Sequence, residues 1–143
     1  MILNISYHTP ELKEAIELAV GKPFSWIRRF KMKGIGSQRY QVVHASQSLK
    51  KLFDRDGSLN ICNIELRQAG IILRFRSRQE TYGWMVPYYL LTIFKTEDGL
   101  SLFGGPNQIK LKPAYNASLN DGFIRKLVQV KANQTQDLGI PGA

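Results

Sequence analysis

The segment from Ile61 to Lys112 constrains the fold more than any other part of this sequence. It contains short extended patterns, several with alternating apolar and polar residues, separated by turn signals rich in Gly, Pro, Asn and Asp. A single amphipathic helical pattern follows over residues 120–131. We therefore expect an α+β fold, in which a small curved antiparallel sheet or partial barrel is capped by a C-terminal helix.

The first hairpin of this segment is predicted from the way its residues divide between two faces. If Ala69-Gly70 forms a two-residue turn, Leu66 lies opposite Leu73 on an apolar face. Glu65 then lies opposite Arg74 on a face that is polar and basic. Because a slip of one residue would mix the two faces, this separation supports the register.

Two further turns divide the rest of the segment. Glu97-Asp98-Gly99 predicts a three-residue hairpin loop with Gly at a position of positive φ, which places Phe94 opposite Leu102. The glycines and proline of 104–107 reverse the chain again, before a last alternating strand over Gln108–Lys112. The sequence thus predicts a meander of adjacent antiparallel strands.

Helical patterns lie at both ends of the chain. Near the N-terminus, Thr9 is the expected N-cap and Pro10 the first helical residue of an amphipathic helix that ends at Gly21. Asn120 or Asp121 is expected to cap the closing helix. The residues predicted to share one core are Leu66, Leu73, Phe75, Phe94, Leu102, Ile109, Phe123 and Leu127.

We expect the chain to consist of three segments. Residues 1–58 hold the N-terminal helix and a basic segment, either as a separate unit or as part of the same domain; residues 59–132 form the sheet and its closing helix; and residues 133–143 form a flexible tail. Within the first segment, Phe24–Lys33 fits a strand or a helix, and the turn at Gly34-Ile35-Gly36 favours a hairpin.

Charge is concentrated in one part of the chain. The net charge is +9, and the segment 22–51 contains eight basic residues and no acidic one. Such clustering favours an anionic partner, whether nucleic acid, phospholipid headgroups or an acidic protein. The alternative is a solvated face that only aids solubility.

Cysteine content and hydropathy indicate the compartment. Cys62 is the single cysteine, which excludes an internal disulfide and fits a reducing environment; on a strand it is expected to be a small buried residue. No apolar run approaches the roughly 20 residues that cross a bilayer, and Met1–Tyr7 does not resemble a signal peptide. A cytoplasmic protein is the expectation.

The order of these elements resembles a known superfold. A strand preceded by Trp84-Met85-Val86-Pro87-Tyr88, then a Glu-Asp-Gly hairpin, then one amphipathic helix is similar to the PH-like superfold, and most of all to small bacterial PH-like or GRAM-type domains. The resemblance covers about Leu59–Lys131 and departs from eukaryotic PH domains in having no tryptophan within Asn120–Lys131. The fold by itself constrains function little. Because the sequence contains no recognisable catalytic constellation, a binding or scaffolding module without catalytic activity is the expected function.

The resemblance also suggests an anion site. Phosphoinositide-binding PH domains have a basic residue on the first strand and a basic-x-basic pair on the second. This chain has Arg67, then Arg74 and Arg76, with Arg78 beyond them. Strand alternation places the last three on one face, and arginine forks bind phosphate bidentately, although such spacing also occurs on solvated strand faces. A phospholipid or acidic protein surface is favoured over nucleic acid.

A second basic segment mixes cations with aromatic residues and provides the alternative. Aromatic rings that stack on bases beside cations that contact phosphate would bind single-stranded nucleic acid, and the same pattern suits a membrane interface. The simpler interpretation is that the aromatic residues are core. The residues of this alternative site are Trp26, Arg28, Arg29, Lys31, Lys33 and Arg39.

Signals for catalysis and for metal binding are weak. His8 and His44 are far apart in sequence and have no metal-ligand spacing. Asp54 and Asp56 resemble the start of a calcium loop, but Leu59 occupies the position that requires Gly. We predict no catalytic residue, no metal and no cofactor, and an unrecognised enzyme is the remaining alternative.

Overall fold

Eight antiparallel strands form one sheet in the computed structural model of the chain, which describes residues 1–53 and 60–137. The strands are β1 (Ile2–Asn4), β2 (Tyr40–Ala45), β3 (Ile61–Leu66), β4 (Gly70–Ser77), β5 (Glu80–Pro87), β6 (Leu91–Lys95), β7 (Leu100–Gly104) and β8 (Asn107–Pro113). The helices are α1 (Pro10–Val20), α2 (Trp26–Lys31), α3 (Gln47–Lys50) and α4 (Asp121–Asp137), with 3₁₀ turns at Tyr88–Leu90 and Ala114–Asn116. The predicted α+β class, with an antiparallel sheet and a C-terminal helix, is confirmed.

Two meanders make up most of the sheet. Strands β2 to β5 and strands β6 to β8 each follow one another, and pairing of β2 with β8 joins them in the order β1-β5-β4-β3-β2-β8-β7-β6. β1, which the sequence analysis missed, adds an edge beside β5, with Ile2 opposite Trp84. Because both β1 and β2 are hydrogen-bonded to the other strands, residues 1–53 contribute directly to the sheet that residues 60–137 complete.

The sheet curls so that distant strands face each other. Gly104 on β7 lies so close to β5 that an added Cβ would be 2.6 Å from Cγ1 of Val86 and 3.1 Å from Cζ2 of Trp84. Four strands separate β7 from β5 along the sheet, so this contact crosses the interior. The space between the two halves is the main core, and α4 closes it with Phe123, Ile124 and Leu127 buried.

The β3–β4 hairpin has a register that differs from the prediction by two residues. Leu66 lies opposite Ile71, and Ile64 lies opposite Leu73. The N–H of Arg67 donates to the carbonyl of Gly70 at 2.9 Å, so the turn is formed by residues 68–69 rather than by Ala69-Gly70. The predicted pairs are therefore wrong, but a slip of two keeps each side chain on its predicted face.

The register of the β6–β7 hairpin differs from the predicted register by one residue. A shift of one residue has a larger effect than a shift of two, because it moves side chains to the opposite face. Ile93 lies opposite Leu102, and Phe94 lies opposite Ser101. Phe94 is 57% exposed, so its predicted place in the core is wrong; the other seven predicted core residues are buried. Gly99 is not at a positive φ. Glycine is instead required by contact, because an added Cβ would lie 2.2 Å from the carbonyl oxygen of Leu111 on β8.

Helix α1 covers the outer face of the sheet with a second, smaller core. Ile16 and Val20 pack against Ile72 and Met85, together with Ile5. The N-cap is Thr9, as predicted, and its hydroxyl accepts from the N–H of Leu12 at 3.1 Å. At the other end, the carbonyl of Val20 accepts from the N–H of Ala69 at 2.8 Å, which fixes α1 to the β3–β4 turn.

The preference for a hairpin at Phe24–Lys33 is wrong, since Trp26–Lys31 is helical. The hydroxyl of Ser25 accepts from the N–H of Arg28 at 3.3 Å and caps the helix. After it, Lys33 and Gly34 have positive φ, and the N–H of Gly34 donates to the carbonyl of Arg29 at 2.8 Å. Lys33 and Gly34 therefore form a Schellman motif that ends the helix, rather than a hairpin turn.

The closing helix begins as predicted and extends further. Asn120 is its N-cap, with Oδ1 accepting from the N–H of Phe123 at 3.3 Å, and the helix continues to Asp137. The remainder of the predicted tail, and the turn at Asp54–Asp56 that resembles a calcium loop, lie outside the described residues. Among the helices described, none is long and apolar enough to cross a membrane.

Candidate functional site

A cavity of about 740 Å³ lies between α1 and the outer face of β3, β4 and β5. Its apolar lining includes Ile5, Leu12 and Ile16. The rest of the wall is polar and basic. Its polar side chains are Ser6, His8, Thr9, Lys13, Arg67, Arg74 and Thr81. We call this space the cationic cavity.

Arg67 and Arg74 are held side by side by one carboxylate. Nε of Arg67 lies 2.6 Å from Oε2 of Glu65, and an Nη of Arg74 binds Oε1 of the same carboxylate. Arg67 also donates to the carbonyl of Gly21 at the end of α1, at 3.5 Å. Each guanidinium has five N–H donors. Glu65 therefore orients both arginines and leaves donors on each of them for another acceptor.

The charge of Glu65 is maintained by these two partners. Burial by itself would raise the pKa of this carboxyl, but the charge of Arg74 and hydrogen bonds from Arg67 and Arg74 lower its pKa below the usual range. At neutral pH the cluster is two cations and one anion. Lys13 also lines the cavity, so these four side chains have a net charge of two positive charges, and none of the described lining residues is acidic.

The four arginines predicted as an anion site are only partly brought together. Arg67 and Arg74 line the cationic cavity, whereas Arg76 and Arg78 do not. Arg76 is an exposed residue near the end of β4, opposite Thr81. Arg78 lies in the β4–β5 turn with a φ of 59°, so strand alternation does not extend to it.

Several lining residues were not predicted from the sequence. Lys13 and His8 come from α1 and the segment before it, and no local pattern connects them to a strand sixty residues away. Ser6 is placed by β5: its Oγ accepts from the N–H of Thr81 at 2.8 Å. The sequence patterns did not predict β1. They therefore did not predict that Ser6 and His8, which follow β1, lie beside the sheet.

Five of the six residues of the alternative basic–aromatic site stay together on or just after α2, and Arg39 lies apart from them. Trp26, Arg28, Arg29 and Lys31 lie on α2, and Lys33 follows it directly. Arg39 lies just before β2, where its carbonyl accepts from the N–H of Ala114 at 3.0 Å. The interpretation of the aromatic residues as core holds for Phe24, which is buried, and is wrong for Trp26, which is exposed.

Other titratable groups are buried away from the cavity. Burial raises the pKa of the Cys62 thiol, as expected for a structural residue rather than a nucleophile. Burial, together with the neighbouring Cys62, raises the pKa of Tyr40 to about 12, and its hydroxyl has no hydrogen-bond partner among the residues that the structure describes. Within residues 1–53 and 60–137, no three His, Cys, Asp or Glu side chains are grouped as metal ligands.

Comparison with known proteins adds no further information about this site. No protein-family model, no curated protein and no solved structure matches the chain. The geometry of the cavity and of the exposed surfaces is therefore what any functional interpretation has to use.

Proposed function

We propose that this protein is a non-catalytic binding module, and that its cationic cavity holds an anionic ligand with an apolar portion, of the kind that a lipid phosphate presents. The observation that carries the proposal is the pair Arg67 and Arg74, oriented by Glu65 on the wall of one cavity. Arginine forks that already have a fixed orientation bind phosphate or carboxylate oxygens with little further loss of side-chain entropy.

The composition of the cavity supports both parts of this ligand. Lys13, Arg67 and Arg74 supply positive charge. The carboxylate next to them, that of Glu65, is paired with both arginines and is not among the residues that line the cavity. Ile5 and Leu12 supply apolar surface in the same cavity. A concave site of this size suits a small ligand better than the flat surface of an acidic protein.

We also propose that the architecture is PH-like. Support comes from the four-strand meander β2–β5, the three-strand meander β6–β8 and the closing helix α4. In this arrangement β3 and β4 are the second and third strands of the first meander. The PH pattern of basic residues on the first and second strands does not correspond to this position, so the anion site is supported by the cavity and not by the family pattern.

The test compares two arginines of the same strand. Isothermal titration with octyl phosphate and with inorganic phosphate, at low salt, measures the affinity of the wild type and of two variants. Arg74→Gln removes one fork from the cavity and should weaken octyl phosphate binding by about tenfold. Arg76→Gln removes the same charge outside the cavity and should leave the affinity unchanged.

Four outcomes separate the possibilities. Tighter binding of octyl phosphate than of inorganic phosphate would support an amphipathic ligand, and equal affinities would reduce the site to a simple anion site. If Arg74→Gln and Arg76→Gln weakened binding equally, the effect would be one of net charge. Absence of binding by the wild type would remove the proposal.

A further inference from the structure

Helix α2 presents its apolar residues to solvent. Trp26 and Phe30, one turn apart, are 78% and 84% exposed, and Ile27 beside them is 49% exposed. At i, i+1 and i+4 these three side chains share one face of the helix. An amphipathic helix normally packs this face against the protein. Here the apolar face is turned away from it.

The chain on either side of α2 holds it in this orientation. Before the helix, Phe24 is buried in the main core, and Nε of Arg29 donates to its carbonyl at 2.9 Å. After it, Met32 packs against the same core, and Nζ of Lys126 on α4 donates to the carbonyl of Gly34 at 2.9 Å. With both ends fixed to the body of the protein, the outward apolar face is a constant feature of the surface.

Basic residues surround this face. Lys31 and Lys33 are exposed at the C-terminal end of the helix, Lys22 is exposed on the segment before it, and Arg28 lies over the ring of Phe24 at 5.6 Å. No acidic residue occurs anywhere in the segment 22–51. An anionic surface would therefore approach the helix without repulsion from this segment.

We propose that α2 docks the protein on an anionic phospholipid surface, with Trp26, Ile27 and Phe30 inserted at the boundary of headgroups and acyl chains. The pattern of aromatic and aliphatic residues ringed by bases is that of an interfacial helix. Trp is favoured at this depth because its ring is apolar and its N–H remains able to reach water. The bases then contact the lipid phosphates and the anionic headgroups.

Two other partners fit the surface less well. A protein partner needs about 800 Å² on each side for a stable interface. Three partly exposed side chains, at roughly 150–250 Å² for each large ring when fully buried, provide about half of that area. Single-stranded nucleic acid would use the rings of Trp26 and Phe30, but stacking gives no role to Ile27. Insertion into lipid uses all three residues.

Tryptophan fluorescence and vesicle flotation together test the inference. The chain has two tryptophans: Trp84 is buried in the core, and Trp26 is exposed. Vesicles of phosphatidylcholine with about 30% phosphatidylserine should retain the wild type and shift its emission to shorter wavelength, because Trp26 leaves water. The same vesicles should still retain the Trp26→Phe variant, but its tryptophan emission should not shift. Vesicles of phosphatidylcholine alone should retain the protein weakly.

Matched pairs of variants separate the apolar and the electrostatic contributions. Trp26→Ala with Phe30→Ala should lower retention by at least about tenfold, while Tyr7→Ala with Tyr115→Ala, at two other exposed aromatic residues, should not. Lys31→Gln with Lys33→Gln should lower retention by about fivefold for each charge, and the loss should diminish as salt rises. Lys110→Gln with Lys112→Gln, on the exposed side of β8, is the charge control.

The proposal is independent of the cationic cavity, because no residue of α2 is among those that line it, and octyl phosphate binding and vesicle retention are measured separately. Equal retention of the α2 variants and their controls would overturn it, as would failure of the wild type to bind at low salt. Binding of single-stranded DNA that is lost in the α2 variants, with no binding to vesicles, would overturn it in favour of a nucleic-acid surface. Circular dichroism of each variant verifies that the fold is retained.

Discussion

Arg74 binds the carboxylate of Glu65 from a diagonal position on the neighbouring strand. In the ladder of β3 and β4, Arg74 lies opposite Asn63, and Glu65 lies opposite Ile72. Diagonal neighbours are roughly 7–8 Å apart, a distance that the long Arg side chain spans. Because Arg67 binds the same carboxylate from the end of β3, one acidic residue determines the positions of two guanidiniums.

The first prediction concerns stability. Glu65→Gln should lower the free energy of unfolding by about 1–3 kcal/mol, because it leaves Arg67, whose side chain is only 13% exposed, without a counter-charge. Urea denaturation measures the change. Asp121→Asn, which removes the exposed ion pair of Asp121 with Lys95, is the control and should have no measurable effect. Equal effects of both substitutions would mean that the Glu65 cluster is not structural.

The second prediction concerns ligand affinity. Glu65 uses donors of Arg67 and Arg74 that an anionic ligand would also use, and its charge repels that ligand. Glu65→Gln should therefore bind octyl phosphate more tightly than the wild type, by about fivefold to tenfold, even though its fold is less stable. Titration calorimetry at a temperature well below the unfolding transition measures this. Weaker binding by the variant would show that Glu65 acts mainly by orienting the arginines.

The third prediction concerns acid. The pKa of Glu65 is lower in the folded protein than in the unfolded chain, where a Glu has a pKa of about 4.3. Its contribution to stability is therefore complete above that pH and is lost as the pH falls through the lower, folded pKa. The wild type should lose stability below about pH 4.3 more steeply than Glu65→Gln does. Urea midpoints measured along a pH series compare the two, and parallel curves would contradict the prediction.

The fourth prediction compares core residues with Phe94. Leu73→Ala and Phe123→Ala each remove a buried side chain from the main core and should cost about 2–5 kcal/mol. Phe94→Ala removes a more exposed ring that makes an edge contact with Phe103 at 5.5 Å. Its cost should stay within about 0.5–1.5 kcal/mol. A larger loss for Phe94 than for Leu73 would contradict the register of β6 and β7.

The fifth prediction concerns glycine. Gly99→Ala places a Cβ 2.2 Å from the carbonyl oxygen of Leu111, so β6 and β7 must move away from β8. We expect a loss of about 1–3 kcal/mol. At Gly36 an added Cβ meets nothing within 4 Å, and Gly36→Ala should change stability by less than about 1 kcal/mol. Thermal unfolding of the pair measures the difference, and similar melting temperatures would exclude this contact.

Local patterns were sufficient for much of the secondary structure. Thr9 and Asn120 cap the helices that they were expected to cap, because a capping hydrogen bond forms within three residues of the chain. Alternation placed Leu66, Leu73 and Ile109 in the core for a similar reason, since side chains of a strand change sides at every residue. The same rule failed at Phe94, where one residue in the loop reverses the face.

Contacts between distant segments were beyond the reach of local patterns. Whether the basic residues of β3 and β4 formed a site depended on α1, which brings Lys13 to the cavity that Arg67 and Arg74 also line. Whether the aromatic residues of α2 were core depended on how Phe24 and Met32 orient that helix. The spacing of residues within a segment determines which side chains share a face. What that face meets depends on the packing of other segments, whose free energy arises from contacts that span the whole chain.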